Sequence, residues 1–224
     1  MRGVTPDPGV EAAVESEQRA TLAALGEPLA ILEEPVSARD ARARDTALLD
    51  WLQAVQLAAG RADLSFASLL PNALPDWPAG PLTLRQVWAF YPYENGLVTA
   101  RATGRQVRQA LERAAECLAD PSDRGRNCDT LEGADYTIDV SAPRGHRVTV
   151  LTRQGRPVRD DDTFTVALNS YRASGGGGFF MWKGAARISE SANVRDLLAA
   201  DARRRGRLRL ETDGNWRLVG TFGR

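Results

Sequence analysis

The amino-acid sequence predicts an α+β fold in which a mixed sheet is flanked by helices. Segments with apolar residues at helical spacing are interleaved with short segments rich in β-branched residues along the 224-residue chain. They do not alternate strictly, as they would around a doubly wound parallel sheet, so a mixed sheet is favoured. Hydrophobic residues make up 43% of the chain, which is enough for the core of one domain of moderate size.

Apolar spacing and capping residues predict the helices. The firmest helix has leucine and valine side chains along one face, and another opens with Thr103 and Gln106 at the capping-box spacing. A weaker apolar stripe ends at Gly26. The predicted helices are residues 9–26, 45–58, 83–90, a segment from 103 onward, and 193–205.

Short apolar and β-branched runs bounded by turn residues predict the strands. They are residues 62–67, 97–102, 136–140, 147–152 and 163–169, with one or two more strands in the tail 207–221. Proline, glycine and aspartate predict loops over 70–81, 119–133 and 155–162. Residues 1–40 are predicted to be an N-terminal arm and residues 41–224 to be the domain.

Charge and cysteine content exclude several classes of function. The 29 basic and 29 acidic residues cancel, which argues against a protein that binds the nucleic-acid backbone. No apolar run reaches about 18 residues, so no membrane span is predicted, and the first nine residues lack the apolar region of a signal peptide. Cys117 and Cys128 are either one disulfide, if the chain is exported, or free thiols. With His146 as the single histidine, they cannot form a Cys/His zinc site.

Two segments carry the candidate chemistry. Four glycines, Gly175–Gly178, lie between aromatic residues, and such a run is typical where a ligand or another chain segment comes close. The aromatic rings suggest a base-stacking site, and a flexible turn with buried aromatics fits equally well. The second segment, Tyr-Pro-Tyr-Glu-Asn-Gly over residues 91–96, presents aromatic and amide groups, but by itself it reads as an ordinary turn.

Together these segments resemble a known family. The sequences YPYENGLVTARATGRQVRQALE and VALNSYRASGGGGF are similar, in order and spacing, to the two signatures of the 5′-nucleotidase C-terminal domain. The intervening segment, LEGADYTIDVSAPRGHRVTVLTRQGRPVRDDDTFTVA, follows the strand order of that family. The resemblance is closest to the 2′,3′-cyclic-nucleotide 2′-phosphodiesterase/3′-nucleotidase branch, and it extends over most of the chain.

The resemblance implies an α+β module that binds the nucleoside part of a nucleotide between two aromatic rings. Phe179 falls on the stacking position after the glycine run, whereas the usual position of its partner holds Leu97, which is not aromatic. In the cyclic-nucleotide branch tyrosines stack on the base. Which two aromatic residues stack on the base in this chain is left open. Carried over to this sequence, the predicted substrate-binding residues are Phe179, Tyr93, Tyr91, Tyr171, Asn95, Arg172, Gly176 and Gly177.

Where many members have Asn-Gly-Gly-Gly-Ile-Arg after the strand at 62–67, this chain has Ser-Leu-Leu-Pro-Asn-Ala over residues 68–73. The arginine is missing, so phosphate or ribose contact by this route is not expected. Asn72 is a weak substitute, and its expected role is to shape the loop.

The resemblance places hydrolysis in a preceding metallophosphatase domain with two divalent metals. This sequence contains neither the Asp-x-His nor the Gly-Asn-His-Glu/Asp segment of that domain, so we predict no catalytic residue, no metal ligand and no cofactor here. His146 is predicted to lie on the surface, and Asp160–Asp162 to form a solvated turn. Residues 1–40 then correspond to the remnant of the linker between the two domains, and the family implies a periplasmic or extracellular location.

Three hypotheses follow. In the first, the chain is a nucleotide- or nucleoside-binding specificity domain of a phosphoesterase and is inactive alone, so that adenosine should quench aromatic fluorescence and Phe179→Ala should abolish the effect. In the second, it is the partner subunit of a separate metallophosphatase chain, and activity should appear only on mixing. In the third, it is a degenerate structural or interaction domain that binds no nucleoside.

Overall fold

The computed structural model describes residue 5 and residues 7–70, 76–118 and 128–221. The helices are α1 (Pro8–Leu25), α2 (Ala47–Gly60), α3 (Leu84–Phe90), α4 (Gly104–Leu118), α5 (Ser170–Ala173) and α6 (Val194–Arg205). The strands are β1 (Pro28–Leu32), β2 (Leu64–Ala67), β3 (Gly80–Thr83), β4 (Gly96–Thr103), β5 (Thr130–Glu132), β6 (Asp135–Asp139), β7 (Val148–Arg153), β8 (Arg156–Pro157), β9 (Thr163–Asn169), β10 (Ala186–Asn193), β11 (Arg207–Leu208) and β12 (Trp216–Val219).

A five-stranded mixed sheet in the order β10-β4-β9-β2-β5 forms the centre of the fold. Strand β9 pairs antiparallel with β4 and parallel with β2. Two smaller sheets, β11-β1-β3 and β12-β6-β7-β8, complete the architecture. The sheet is mixed and carries helices, so the predicted α+β class is confirmed.

The central sheet separates two hydrophobic cores. The first core contains the apolar stripe of α4 and side chains of β6 and β7, and the second contains the buried faces of α2 and α6 with β1. Consecutive residues of β4 face opposite sides, because Val98 joins the first core and Leu97 joins the second. The apolar run at the start of β4 therefore serves both cores.

Helix α4 begins with the capping box that the sequence predicts. The Thr103 hydroxyl accepts a hydrogen bond from the backbone amide of Gln106 at 3.3 Å, and the backbone amide of Thr103 donates to the Gln106 side-chain oxygen at 2.9 Å. The two bonds satisfy amide groups that have no partner inside the helix. Helix α3 opens in the same way with Thr83 and Gln86.

The division of the chain at residue 40 does not match the packing and is corrected. Strand β1 pairs antiparallel with β3 and parallel with β11, and its Leu29, Ala30 and Leu32 side chains are buried in the second core. Val36 also belongs to that core. Residues 28–40 are therefore part of the domain, whereas α1 has no buried residue.

Strand β10 received no assignment from the sequence. It pairs antiparallel with β4 at the edge of the central sheet, but its residues are almost all exposed, so it shows no apolar alternation. Strands β3 and β5 lie inside or at the ends of the segments predicted as loops, 70–81 and 119–133. The rest of these two predicted loops includes residues 71–75 and 119–127, which are outside the described residues. Asn72 is one of these residues.

A disulfide joins Cys117, in the last turn of α4, to Cys128, just before β5. This bond decides between the two alternatives that the sequence left open for the cysteines. None of the helices in the described part of the chain combines the length and apolarity needed to span a bilayer.

An acidic cluster attaches the C-terminal tail to the start of α2. Asp45, Asp50 and Asp213 bring carboxylate oxygens within 4.8 Å of one another. The Gly214 amide donates to Asp45 at 2.9 Å. Burial, reinforced by the neighbouring carboxylates, raises the pKa of Asp50 to about 8, and burial raises the pKa of Glu132, which faces the same cluster, to about 7.

Candidate binding cleft

A cleft of about 300 Å³ opens where the turn after α3 meets the end of β9 and the start of α5. This volume lies at the lower end of the range for small-molecule sites. Its lining residues come from separate segments of the chain. They are Leu70, Tyr93, Asn95, Asn169, Tyr171 and Arg172.

Two tyrosines and two asparagines give the cleft its chemistry. Tyr93 is 54% exposed and Tyr171 is 50% exposed, so each ring keeps about half of its surface open although it belongs to the wall of a cleft. Asn95 and Asn169 add amide groups, each of which has donors and an acceptor. Aromatic faces with amides beside them suit a flat ring that has polar atoms along its edge.

The backbone of the glycine run seats Tyr171. A Cβ atom added to Gly176 would lie 2.5 Å from the Tyr171 ring, so only glycine allows the ring to rest there. The guanidinium of Arg172 lies 5.5 Å from the centroid of the same ring. Asn169 fixes the start of α5, because its side-chain oxygen accepts a hydrogen bond from the Arg172 amide at 2.8 Å. Tyr171 is thus supported from within the protein.

The turn that carries Tyr93 is fixed to the start of α6. The Asn95 carbonyl accepts a hydrogen bond from the Val194 amide at 3.0 Å. Glu94 forms an ion pair with Arg195, whose guanidinium in turn lies 4.3 Å from the centroid of the Trp88 ring. These contacts attach the Tyr93 side of the cleft to helix α6.

Arg172 lies in the floor of the cleft and is engaged by the protein. Its Nε and Nη2 atoms donate to the two carboxylate oxygens of Asp129 at 2.8 and 2.7 Å, and its Nη1 atom donates to the Gly176 carbonyl at 3.1 Å. Burial opposes the charged form, but Asp129 outweighs it and the pKa of Arg172 is raised above its ordinary value. Arg172 lines the cleft, and these hydrogen bonds are made within the protein.

Phe179 and Tyr91 occupy the interior rather than the cleft, which corrects their predicted place. Phe179 is 1% exposed in the first core, with the Arg172 guanidinium 4.4 Å from its ring centroid. Tyr91 is buried in the second core, and burial raises the pKa of its phenol to about 12 against the influence of the nearby Asn95 and Asn169 amides. Both rings pack beneath the cleft, so in this conformation neither offers an open face.

The glycine run makes room for the protein's own side chains. A Cβ on Gly177 would overlap the Arg172 guanidinium, and a Cβ on Gly178 would lie 2.8 Å from Arg113. Gly177 also has a φ of +68°, which side chains rarely adopt. Gly176 and Gly177, which were predicted to bind substrate, therefore support Tyr171 and Arg172 and are not among the residues that line the cleft.

Sequence reasoning missed two cleft residues, Asn169 and Leu70. Asn169 had a usable signal, since a polar residue ends the buried strand β9 just before Tyr171. Leu70 had none, because an apolar residue after a buried strand reads as core. Outside the cleft, His146 is exposed, and Asp160 pairs with Arg105 on an exposed turn.

Comparison with known proteins identifies the family. Residues 22–184 match the family described as 5′-nucleotidase, C-terminal domain. The 2′,3′-cyclic-nucleotide 2′-phosphodiesterase/3′-nucleotidase of Salmonella typhimurium is 30% identical over an alignment 181 residues long, and the match covers 66% of this chain and 28% of that protein. The chain therefore spans little more than a quarter of the length of this relative.

Two solved structures share the fold. A putative 5′-nucleotidase from Staphylococcus aureus, solved with alpha-ketoglutarate, superposes with a TM-score of 0.85 at 22% identity, over 99% of this chain and 45% of its own. A 5′-nucleotidase precursor from Thermus thermophilus gives a TM-score of 0.82 at 19% identity, over 94% of this chain and 43% of its own. The family match over residues 22–184 confirms the resemblance that the two sequence signatures indicated, and the chain belongs to the 5′-nucleotidase C-terminal domain family.

Proposed function

We propose that this chain is the nucleoside-binding specificity domain of a nucleotide phosphoesterase, with the base held between Tyr93 and Tyr171. The observation that carries the proposal is the pair of half-exposed tyrosines lining one cleft together with Asn95 and Asn169. Stacking of a base on an aromatic ring contributes about 1–3 kcal/mol, and every base has a face that can stack. Two tyrosines therefore supply affinity, and the amides supply hydrogen bonds to the edge of the base.

The cleft recognises the nucleoside part of the substrate rather than its phosphate. A guanidinium is the group that would pair with a phosphate, and among the described residues that line the cleft Arg172 supplies it. Arg172 already donates hydrogen bonds to both carboxylate oxygens of Asp129. A phosphate there would compete with a buried, bidentate carboxylate, which is an unfavourable exchange. The phosphate is therefore expected to project toward a separate catalytic centre.

Hydrolysis is assigned to a metallophosphatase domain outside the residues of this chain. The curated relative from Salmonella typhimurium is named as a phosphodiesterase and nucleotidase, and this chain matches 28% of its length. Two divalent metals in the partner domain would activate water and polarise the phosphate. This chain would contribute no metal ligand and would set which nucleotide is bound.

Helix α1 is the surface on which we expect the partner domain to pack. It is an 18-residue helix without a single buried residue, and Val10, Val14 and Leu22 are exposed on it. In proteins most of the stability of a helix comes from tertiary packing of its apolar face. Covering its apolar residues by a metallophosphatase domain would stabilise it.

A periplasmic or extracellular location is also proposed. The disulfide between Cys117 and Cys128 is buried, and such bonds form and persist mainly in oxidising compartments.

Isothermal titration calorimetry with adenosine, guanosine, cytidine and uridine tests the proposal, with ribose as the control for sugar binding alone. We expect saturable binding of at least one nucleoside with one site per chain, and at least about tenfold weaker affinity in Tyr93→Ala and in Tyr171→Ala. Phe180→Ala is the matched control, because Phe180 is an aromatic residue that is 67% exposed but lies outside the cleft. Absence of binding at millimolar nucleoside, or equal losses in all three variants, would count against the proposal.

A second assay addresses the partner. Mixing the chain with a metallophosphatase domain of a relative in the presence of Mn²⁺ should raise the kcat/KM for 2′,3′-cyclic AMP above that of the metallophosphatase alone. The increase should disappear with the Tyr93→Ala variant. No increase on mixing would contradict the proposal that the chain acts together with a metallophosphatase domain. The proposal of nucleoside binding is tested separately, by calorimetry.

A further inference from the structure

The Arg172–Asp129 ion pair lies directly beneath the tyrosine that we assign to base stacking. Both side chains are buried, at 3% and 1% exposure. The Arg172 guanidinium is 5.5 Å from the Tyr171 ring centroid and 4.4 Å from the Phe179 ring centroid. It also donates to the carbonyl of Gly176, the residue on which the Tyr171 ring rests. Arg172 thus connects the seat of Tyr171 to Asp129.

Asp129 is held in the chain from both sides. On one side it follows Cys128, which is bonded to Cys117 at the end of α4. On the other side it precedes Thr130, whose carbonyl accepts a hydrogen bond from Gln53 at 3.0 Å. The disulfide is therefore the covalent anchor on the N-terminal side of Asp129, and β5 is the anchor on the C-terminal side.

Helix α4 also contacts the glycine run. The Arg113 side chain donates to the Gly177 carbonyl at 3.0 Å and lies 5.9 Å from the Phe179 ring centroid. The disulfide fixes the end of this helix relative to Asp129. Helix α4 consequently supports both the glycine run and the carboxylate that orients Arg172.

We propose that Asp129 is a positioning residue for the nucleoside cleft and that the Cys117–Cys128 disulfide keeps it in place, so that reduction of the disulfide weakens nucleoside binding. This inference rests on the proposed function, because it concerns the seating of Tyr171 in the same cleft. A dithiol reductant would transfer two electrons and two protons to the S–S bond, giving two cysteine thiols and its own disulfide. No atom of the ligand takes part in the exchange.

The physical reason is the cost of a buried charge without its partner. When Asp129 withdraws or is neutralised, the Arg172 guanidinium is left buried without a compensating carboxylate, which is strongly unfavourable. The guanidinium then moves toward water through the cleft that it lines. Such a movement displaces the Gly176 and Tyr171 contacts and disturbs the stacking face.

Adenosine affinity is the readout, measured by calorimetry on the oxidised chain, on the chain reduced by excess dithiothreitol, and on Asp129→Asn and Cys117→Ser/Cys128→Ser variants. We expect about tenfold weaker affinity in the last three cases. In the serine variant, dithiothreitol should have no further effect. Asp63→Asn is the control for loss of an ion pair, because Asp63 pairs with Arg153 and neither residue lines the cleft.

A double-mutant cycle separates positioning from general loss of stability. If Asp129 acts through Tyr171, the Asp129→Asn change should weaken binding in the wild-type background but not further in a Tyr171→Ala background. Equal losses in both backgrounds would overturn the positioning role. Should Asp129→Asn fail to fold, the dithiothreitol comparison on the wild-type chain decides the question. Its affinity must fall on reduction, and an unchanged affinity would overturn the inference.

The two proposals fail in distinguishable ways. If the oxidised wild-type chain binds no nucleoside, the proposed function is wrong. If it binds adenosine through Tyr93 and Tyr171 but responds neither to dithiothreitol nor to Asp129→Asn, only this inference is wrong.

Discussion

Replacing Gly176 by alanine tests the seating of Tyr171 with a single methyl group. The Cβ of the alanine would lie 2.5 Å from the nearest carbon atoms of the Tyr171 ring, whereas carbon atoms in contact are normally about 3.5–4.0 Å apart. Gly176 does not have a positive φ, so alanine introduces no backbone strain there. The ring must therefore move by about 1 Å or rotate away.

The expected effect falls on binding rather than on folding. Tyr171 is half exposed and can move toward solvent, so the free energy of unfolding should change by less than about 1 kcal/mol. Loss of one of two stacking faces should weaken adenosine binding by about tenfold, equivalent to about 1.4 kcal/mol. Calorimetry gives the affinity, and urea denaturation followed by tryptophan fluorescence gives the stability.

Gly184→Ala is the matched control for this experiment. No atom lies within 4 Å of the position that its Cβ would take, and its φ is not positive. It should bind adenosine as the wild type does. If Gly176→Ala also binds as the wild type does, the ring of Tyr171 is not part of the site and the reasoning about its seat is refuted.

Three further predictions concern stability. Phe179→Ala should lower the free energy of unfolding by about 3–5 kcal/mol in urea denaturation, whereas the exposed Phe180→Ala should change it by less than about 0.5 kcal/mol, and similar values would contradict the burial of Phe179. Gly177→Ala should cost about 1–3 kcal/mol in the same assay, because it combines a positive φ with overlap on a buried guanidinium, and a neutral result would contradict that geometry. Burial raises the pKa of Asp50 to about 8 and of Glu132 to about 7, so the folded state keeps protons that the unfolded chain loses near pH 4. Thermal unfolding should therefore show stability decreasing from about pH 4 to about pH 8, and Asp50→Asn should flatten this dependence, whereas an equally steep profile in the variant would contradict the assignment.

Much of the fold was predictable because most elements carry local signals. Helices α2, α4 and α6 bury a face that appears as apolar periodicity, and the capping box at Thr103 marks where α4 begins. Strand β10 gave no signal because it is an exposed edge strand, stabilised by hydrogen bonds to β4 rather than by apolar side chains. Strand β1 was too short to identify by itself, and it becomes a strand only through its partners β3 and β11.

The candidate site was predictable in its segments but not in the roles of individual residues. Both signature segments contribute to one cleft, and Tyr93, Tyr171 and Asn95 are in its wall. The sequence could not show that Tyr91 and Phe179 turn inward, since aromatic residues on the same short turn have the same local pattern. The partner of Arg172 was also hidden, because Asp129 lies 43 residues away in a segment that reads as a polar loop.

A crystal structure of the chain with bound adenosine tests the central claim most directly. The proposed function predicts electron density for the adenine ring stacked between Tyr93 and Tyr171, with its edge within hydrogen-bond distance of Asn95 or Asn169. Density for the base at another surface, or a cleft left vacant when calorimetry shows binding, would contradict it.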